Sequence, residues 1–361
     1  MKEKIVLGMS GGVDSSVAAF LLNKEGYEVT GITMTLVPRG SLYNEDRGCC
    51  SISSVNEAKI VADNLGINHY VMNFRREFDK KVIDNFVEEY SKGRTPNPCI
   101  VCNKYIKFES FRKKAHGLDI KYISTGHYAK NEYDEKLGRY VLKKAKDKSK
   151  DQTYFLYNMS QEALSETVFP LGDLTKDEVR EIAKENNIAS YSKPDSEEIC
   201  FVHDNDHGRF IKARNPEKVG LGNFIDDEGN ILGKHKGIVN YTLGQRKGLG
   251  IALGKRVFVS KINGDTNEVT LSDEDKLFKK EINIKDINII PYEKLEEPME
   301  VTVKVRHGMR EHKALATQIG EDEILIQFEE AVRAPVKGQS AVMYSGDLVI
   351  GGGIIDKVEG E

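Results

Sequence analysis

Two groups of residues in this 361-residue chain have types and spacings that could do chemistry. The first is Ser10-Gly11-Gly12-Val13-Asp14-Ser15-Ser16, set between a short apolar run and a helix-like run. Two glycines let the backbone turn tightly, and a strand-to-helix turn aims N–H groups at an anion. Ser10, Ser15 and Ser16 add hydroxyl donors, while Asp14 can cap the helix or help hold Mg2+. The bland reading is a Gly-Ser turn with an Asp cap. No GxxxxGK[ST] is present, so the lysine that grips phosphates in a P-loop is missing. Nor does any GxGxxG precede an acidic residue about 20 positions on, as a dinucleotide ribose would need.

The second group is thiol-bearing. The five cysteines are Cys49, Cys50, Cys99, Cys102 and Cys200. An odd number in a long chain with no secretion signal points to metal or redox chemistry, not to a disulfide framework. In Thr95-Pro96-Asn97-Pro98-Cys99-Ile100-Val101-Cys102, two prolines stiffen the approach to a helix start. N–H groups at a helix start lower a thiol's pKa and favour reactive thiolate. Two small buried residues are the alternative, but so polar a stretch is not shaped like core. A zinc site built from Cys49, Cys50, Cys99 and Cys102 has unusual spacing, and no role follows for Cys49 and Cys50.

The elements that must position these residues alternate. Lys4 to Met9 reads as a buried strand and is followed by a helix. Val17, Phe20 and Leu21 form its apolar stripe, and Gly26 is a C-cap. Glu28–Leu36 and Asn68–Asn73 read as strands, as does Lys121–His127, with helices over 54–66 and 78–93. This is the grammar of a doubly wound α/β sheet. Past Cys200, Val-, Ile- and Thr-rich stretches broken by turns such as Asp227–Asn230 and Asn263–Asn267 predict a small β-rich domain and then a β-barrel. The expected division is 1–204, 205–280 and 281–361.

Hydrophobic residues at 39% and charged residues at 30% fit a globular chain that buries a core. No apolar run reaches the roughly 18 residues of a membrane span, and the amino terminus reads as a strand rather than a signal peptide. A cytoplasmic enzyme is expected. The net charge of −4 excludes a general nucleic-acid coat but not a local basic face. Lys143, Lys144, Lys146, Lys148 and Lys150 make the densest lysine run, either a solvated loop or a phosphate-contacting patch.

The loop at residues 10–16 resembles the SGGxDS pyrophosphate loop of PP-loop ATPases, which split ATP into AMP and pyrophosphate to adenylate an oxygen. The whole chain resembles one family, the tRNA-specific 2-thiouridylases. The resemblance rests on GMSGGVDSSVAA, GRTPNPC..CNKYIKF, TGHYA, KDQTYFL, KPDSEEICFV, YTLGQRKGLG and the closing GGGII, all in family order. It implies ATP bound by Gly8, Met9, Ser10, Gly11, Gly12, Val13, Asp14 and Ser15, with Met34 and Gly126 near adenine and ribose. It implies adenylation of the C2 oxygen of the wobble uridine. Cys200 would then carry sulfur as a persulfide, and Cys102 would release that sulfur or end in a disulfide with Cys200. Asn97, Pro98 and Cys99 would border the target base, which must leave its stack. His127, Lys150, Asp151, Gln152, Arg306, His307 and Gln339 would contact the tRNA. Arg306, Arg310, Lys313, Arg333 and Lys337 fit a barrel that grips RNA.

One position departs from the pattern. Many members carry aspartate where this chain has Cys99. The resulting Cys99, Cys102 and Cys200 set resembles thiolation enzymes that hold a [4Fe–4S] cluster on three cysteines and take free sulfide. A persulfide relay from a sulfur-donor protein and a cluster are both consistent with these residues. Two rivals stand beside thiolation. A PP-loop ligase would not need the thiols, and a tRNA-binding module would release no pyrophosphate.

Overall fold

The computed structural model describes residues 2–40, 42, 52–188, 199–202, 206–216 and 220–360. Cys49 and Cys50, and the stretch 192–198 ahead of Cys200, lie outside those residues. Three sheets organise the chain, and none of the described helices is long and apolar enough to cross a membrane.

Strands β1 (Lys4–Gly8), β2 (Glu28–Thr35), β3 (Asn68–Asn73) and β4 (Tyr122–Thr125) enter the first sheet. The antiparallel hairpin of β5 (Lys130–Asp134) and β6 (Arg139–Lys143) follows, and then the short β7 (Thr167–Val168). The first sheet runs β3-β2-β1-β4-β7, all parallel. β1 needs apolar residues on both faces because helices cover both, and Ile5, Val6 and Leu7 are fully buried. Chain order reverses between β1 and β4, where Gly8 pairs in register with Thr125. The crevice above that point is where an α/β sheet holds a ligand.

Helix α1 (Val13–Lys24) is buried more widely than the expected stripe. Val13, Val17, Ala18, Ala19 and Leu22 are buried, whereas Phe20 and Leu21 are only half-buried, because α1 is wedged between the sheet and neighbouring helices. Glu25 is its C-cap and Gly26 follows at φ +95°, the left-handed turn expected there. Helix α2 (Ile52–Leu65) and the helical run 75–91 begin slightly earlier than their apolar periodicity suggests.

The second sheet joins β8 (Gly222–Ile225), β9 (Ile231–His235), β10 (Phe258–Asn263) and β11 (Glu268–Ser272) in the order β10-β11-β8-β9. The third contains β12 (Phe278–Ile289), β13 (Met299–Lys304), β14 (His312–Gly320), β15 (Glu323–Arg333), β16 (Ser340–Ser345) and β17 (Leu348–Val358). Their order, β12-β15-β14-β13-β16-β17, closes through β12–β17 pairing into a six-stranded barrel. Ile282, Ile284, Val301, Val303, Ile324, Ile326 and Met343 fill it. The expected β domain and barrel are therefore present. Sequence reasoning missed the β5–β6 hairpin, which leaves the first region and joins the barrel sheet where Lys143 pairs with Leu348.

Candidate active site

The glycine-rich loop leaves β1 and enters α1 as its residue types require. Met9 anchors it from below. Its amide donates to Ile32 O at 2.9 Å, and its carbonyl accepts from Thr33 Oγ1 at 2.9 Å. Gly11 turns at φ +73° with Ser54 O 2.4 Å from where a Cβ would stand, so no side chain fits there. Ser15 Oγ accepts from Ser10 N at 3.2 Å and donates to Gly12 O at 3.1 Å. Ser16 Oγ also donates to Gly12 O, at 2.9 Å. Gly126, at the end of β4, touches this turn backbone to backbone, since its Cβ would stand 2.8 Å from Ser15 N. Met34 reaches over β1, its Cε 3.3 Å from the Cβ position of Gly8. The expected set Gly8 to Ser15, Met34 and Gly126 thus converges on the β1/β4 crevice.

Asp14 departs from expectation. Gly12 is the N-cap and no side chain caps α1. The Asp14 carboxylate instead takes Lys176 Nζ at 2.8 and 2.9 Å and the Tyr128 hydroxyl at 2.7 Å. Lys176 is buried and opens the helix Lys176–Glu185, held by the Thr175/Glu178 capping box. A lysine from a sequence-distant helix thus meets the loop's carboxylate. Only the helix-start signal Thr-Lys-Asp-Glu hinted at it.

The cysteines enter on one long helical run, 98–116. Asn97 is its N-cap, its Oδ1 accepting from Cys99 N at 3.1 Å and Ile100 N at 3.3 Å, and buried Pro98 occupies the first turn. Cys99 is exposed, Cys102 buried and Cys200 half-buried. The same run reaches the nucleotide crevice. Phe111 lies 3.8 Å from the Cβ position of Gly8, and Lys107 Nζ lies 3.4 Å from His127 Nε2. About 7 Å of helix rise separates Lys107 from Cys102. Cys200 is pinned through its neighbour Phe201, whose ring meets Phe78, Phe86 and Phe210 at 5.7, 5.2 and 5.3 Å. Cys102 belongs to that same apolar cluster. Among the described residues no group of three or more His, Cys, Asp or Glu could hold a metal ion, so Cys99, Cys102 and Cys200 are not gathered as cluster ligands in this arrangement.

The residues expected at the tRNA divide. Asp151 is buried, accepting from Ala145 N at 3.0 Å and Thr153 Oγ1 at 2.7 Å. Gln152 pairs with the backbone of Tyr128 in both directions, at 2.9 and 3.0 Å. Half-buried Lys150 begins this turn. His307 stacks on Phe155 with centroids 4.4 Å apart, and burial followed by Lys304 lowers its pKa. Half-buried Arg306 precedes it. Asn103 ties this patch to the cysteine helix by donating to Phe155 O at 3.0 Å.

Three of the expected contacts are tied into the fold in ways the sequence did not show. His127 is buried, bonded to Thr125 Oγ1 at 2.7 Å through Nδ1 and facing Lys107 through Nε2. An ammonium can only donate, so Nε2 accepts and Nδ1–H donates to Thr125. Burial, with the Lys107 ammonium beside it, holds the imidazole well below its usual range. It sits buried between Thr125 and Lys107. Gln339 is also buried, donating to Thr95 O at 2.8 Å and Pro96 O at 3.4 Å. The lysine run is largely neutralised, with Lys143 on Glu132, Lys144 on Glu311, Lys146 on Glu178 and Lys148 on Asp347. Opposite charges supplied from across the hairpin and from the sequence-distant Glu178, Glu311 and Asp347 explain why that run looked available in the sequence.

Comparison with known proteins agrees with this geometry. Residues 3–204 match the model of the tRNA methyl transferase HUP domain. Residues 208–273 match the tRNA methyl transferase PRC-barrel domain, and 279–355 the Aminomethyltransferase beta-barrel domain. The tRNA-specific 2-thiouridylase MnmA of Clostridioides difficile is 54% identical over 357 residues, 99% of each chain. Its counterpart in Clostridium acetobutylicum is 53% identical, covering 98% of this chain and 100% of its own length. That of Clostridium perfringens is 54% identical over 99% of each. On the crevice, the cysteine helix and this full-length identity, the chain belongs to the tRNA-specific 2-thiouridylase family.

Proposed function

We propose that this protein uses ATP to replace the C2 oxygen of the wobble uridine in tRNA with sulfur, giving 2-thiouridine, AMP and pyrophosphate. The observation that carries the reading is the single helical run 98–116, which touches the nucleotide crevice through Phe111 and Lys107 and presents Cys99 and Cys102 at its start. The uridine O2 attacks the α-phosphorus of ATP, the bond to the β-phosphate oxygen breaks, and pyrophosphate leaves with that electron pair. Adenylated oxygen is a good leaving group where the bare carbonyl oxygen is not. Mg2+ accompanies the ATP phosphates.

For the sulfur step we favour a persulfide on Cys200. Its terminal sulfur ends on C2 as AMP departs, and Cys102 attacks the inner sulfur to leave a Cys102–Cys200 disulfide. Buried Cys102 and half-buried Cys200 both pack into one extended apolar cluster, and a thiol pair of this kind suits persulfide release by disulfide formation. The alternative, a [4Fe–4S] cluster on Cys99, Cys102 and Cys200 using free sulfide, needs a regrouping of the thiols. A sulfur-donor protein and a cytoplasmic setting go with the persulfide reading.

The test uses Cys102→Ser, Cys200→Ser and Cys99→Ser, with pyrophosphate release and 2-thiouridine measured separately. Thiolation should vanish in the first two while tRNA-dependent pyrophosphate release persists. Product formation surviving both changes would mean a ligase instead. Iron content and the visible spectrum of protein purified without oxygen separate the two sulfur routes. A brown protein active on sulfide and inactivated by Cys99→Ser would overturn the persulfide assignment.

A further inference from the structure

The longest acid-free stretch of charge in this protein lies in the second sheet and its loops. Between Glu228 and Asp265 there is no Asp or Glu, although the chain as a whole carries 57 acids against 53 bases. The same stretch holds seven cations, Lys234, Lys236, Arg246, Lys247, Lys255, Arg256 and Lys261, and every one is exposed. Among the described residues only Lys255 is in an ion pair, with Asp273 at 3.1 Å. This is the reverse of the lysine run at 143–150, where four lysines are matched by carboxylates.

The loop between β9 and β10 concentrates this charge. Arg246, Lys255 and Arg256 rim a concavity of about 500 Å3 floored by Leu249 and Val257, and exposed Lys247 follows Arg246 in the chain. Gly248, Gly250 and Gly254 turn through left-handed backbone, and nothing stands within 4 Å of the Cβ positions of Gly250 and Gly254. Bare turns of this kind present backbone N–H groups to anions. Leu249 and Val257 pack into the core, which holds the loop's shape while its cations stay in water. Gly244 at its base packs on Ala334, 3.2 Å from its Cβ position, just before the barrel turn that holds Thr95.

We infer that the Gln245–Arg256 loop is a phosphate-binding surface for the tRNA backbone, separate from the crevice that holds the reacting base. Exposed cations, of which among the described residues only Lys255 has a carboxylate partner, fit a polyanion such as a phosphate backbone in a chain of net negative charge. This assignment rests on the tRNA substrate of the proposed function and adds a second point of contact to it. Such a contact sets the register of the RNA and carries no sequence information.

The experiment compares wild type with the Arg246→Ala/Lys247→Ala/Arg256→Ala variant, measuring tRNA affinity across a salt series and single-turnover thiolation at saturating tRNA. The variant should bind roughly 10- to 100-fold more weakly at low salt, with the slope of log affinity against log salt reduced by about 2 to 3. Its saturated thiolation rate should match wild type. An Arg246→Lys/Arg256→Lys variant, which keeps the charge, should keep the slope. Parallel salt lines for wild type and the triple alanine variant would overturn the assignment while leaving thiolation itself intact. Unchanged tRNA binding with slower sulfur transfer from a protein donor would overturn it in favour of a protein partner. Failure of wild type to bind tRNA would sink the functional reading as well.

Discussion

Gln339 of the barrel donates its side-chain amide to the carbonyl of Thr95 at 2.8 Å, across 244 residues of sequence. Thr95 N in turn donates to Lys337 O at 2.8 Å, and Arg94 bonds Asp356 at 3.2 Å. The barrel therefore grips the backbone just ahead of Cys99, and the thiol helix starts from a fixed point. Removing Gln339 should disturb thiol placement more than RNA affinity. Gln339→Ala removes the donor from the half-buried Thr95 carbonyl, a loss of about 1 kcal/mol. Single-turnover thiolation should fall roughly tenfold or more while tRNA affinity stays within about twofold. Weakened tRNA binding at an unchanged rate would make Gln339 an RNA contact instead.

Lys176 and Asp14 form the charge pair beneath the pyrophosphate loop. Lys176→Met strands a carboxylate that is 30% exposed, so the destabilisation should reach about 2–3 kcal/mol, short of a fully buried pair. The Michaelis constant for ATP should rise by tenfold or more. Lys176→Met/Asp14→Asn should recover most of the stability in denaturant melts but not the ATP affinity. Recovery of both would mean that the pair serves the fold alone.

Gly126→Ala tests the contact between the two halves of the crevice. The added carbon would stand 2.8 Å from Ser15 N and 2.9 Å from Asp14 C, both backbone atoms that cannot swing aside. ATP binding should be lost or weakened at least tenfold, with a melting temperature lower by several degrees. Wild-type ATP affinity in this variant would show that β4 can withdraw from α1 without harm.

His127 gives a pH signature. Burial lowers its folded-state pKa, and Lys107 lowers it further, so below its ordinary value of 6.5 the unfolded chain binds a proton that the folded chain refuses. Its contribution to stability is complete above about pH 6.5 and is lost as pH falls toward the folded pKa. His69, His235, His307 and His312 are lowered in the same direction by burial. The wild type should therefore lose stability between pH 7.5 and 5.5, and His127→Asn should lose less over that interval. Equal losses in the two proteins would place the proton uptake at the other histidines.

Much of the site was legible because its signals are local. A glycine-rich turn between a buried strand and a helix is written in adjacent residues, and so is Asn97-Pro98 as the opening of the helix that bears Cys99. The parallel sheet, the second β region and the barrel followed from apolar runs and turn residues for the same reason. Charge partners were not legible. Lys143 to Lys148 read as a basic patch until Glu132 across the hairpin and three more distant carboxylates met them, whereas among the described residues the quieter cations from Lys234 to Lys261 met only Asp273.

The sequence by itself determined the family, the nucleotide loop and which thiols stand at a helix start, since these depend on residue type at fixed spacing. Tertiary structure alone decided that Lys176 answers Asp14, that His127 is buried and neutral, and that Gln339 holds Thr95. Each of those depends on which side chains meet after the chain closes. Hydrogen bonds and ion pairs act over a few ångströms of space, and sequence separation places no limit on who the partner is.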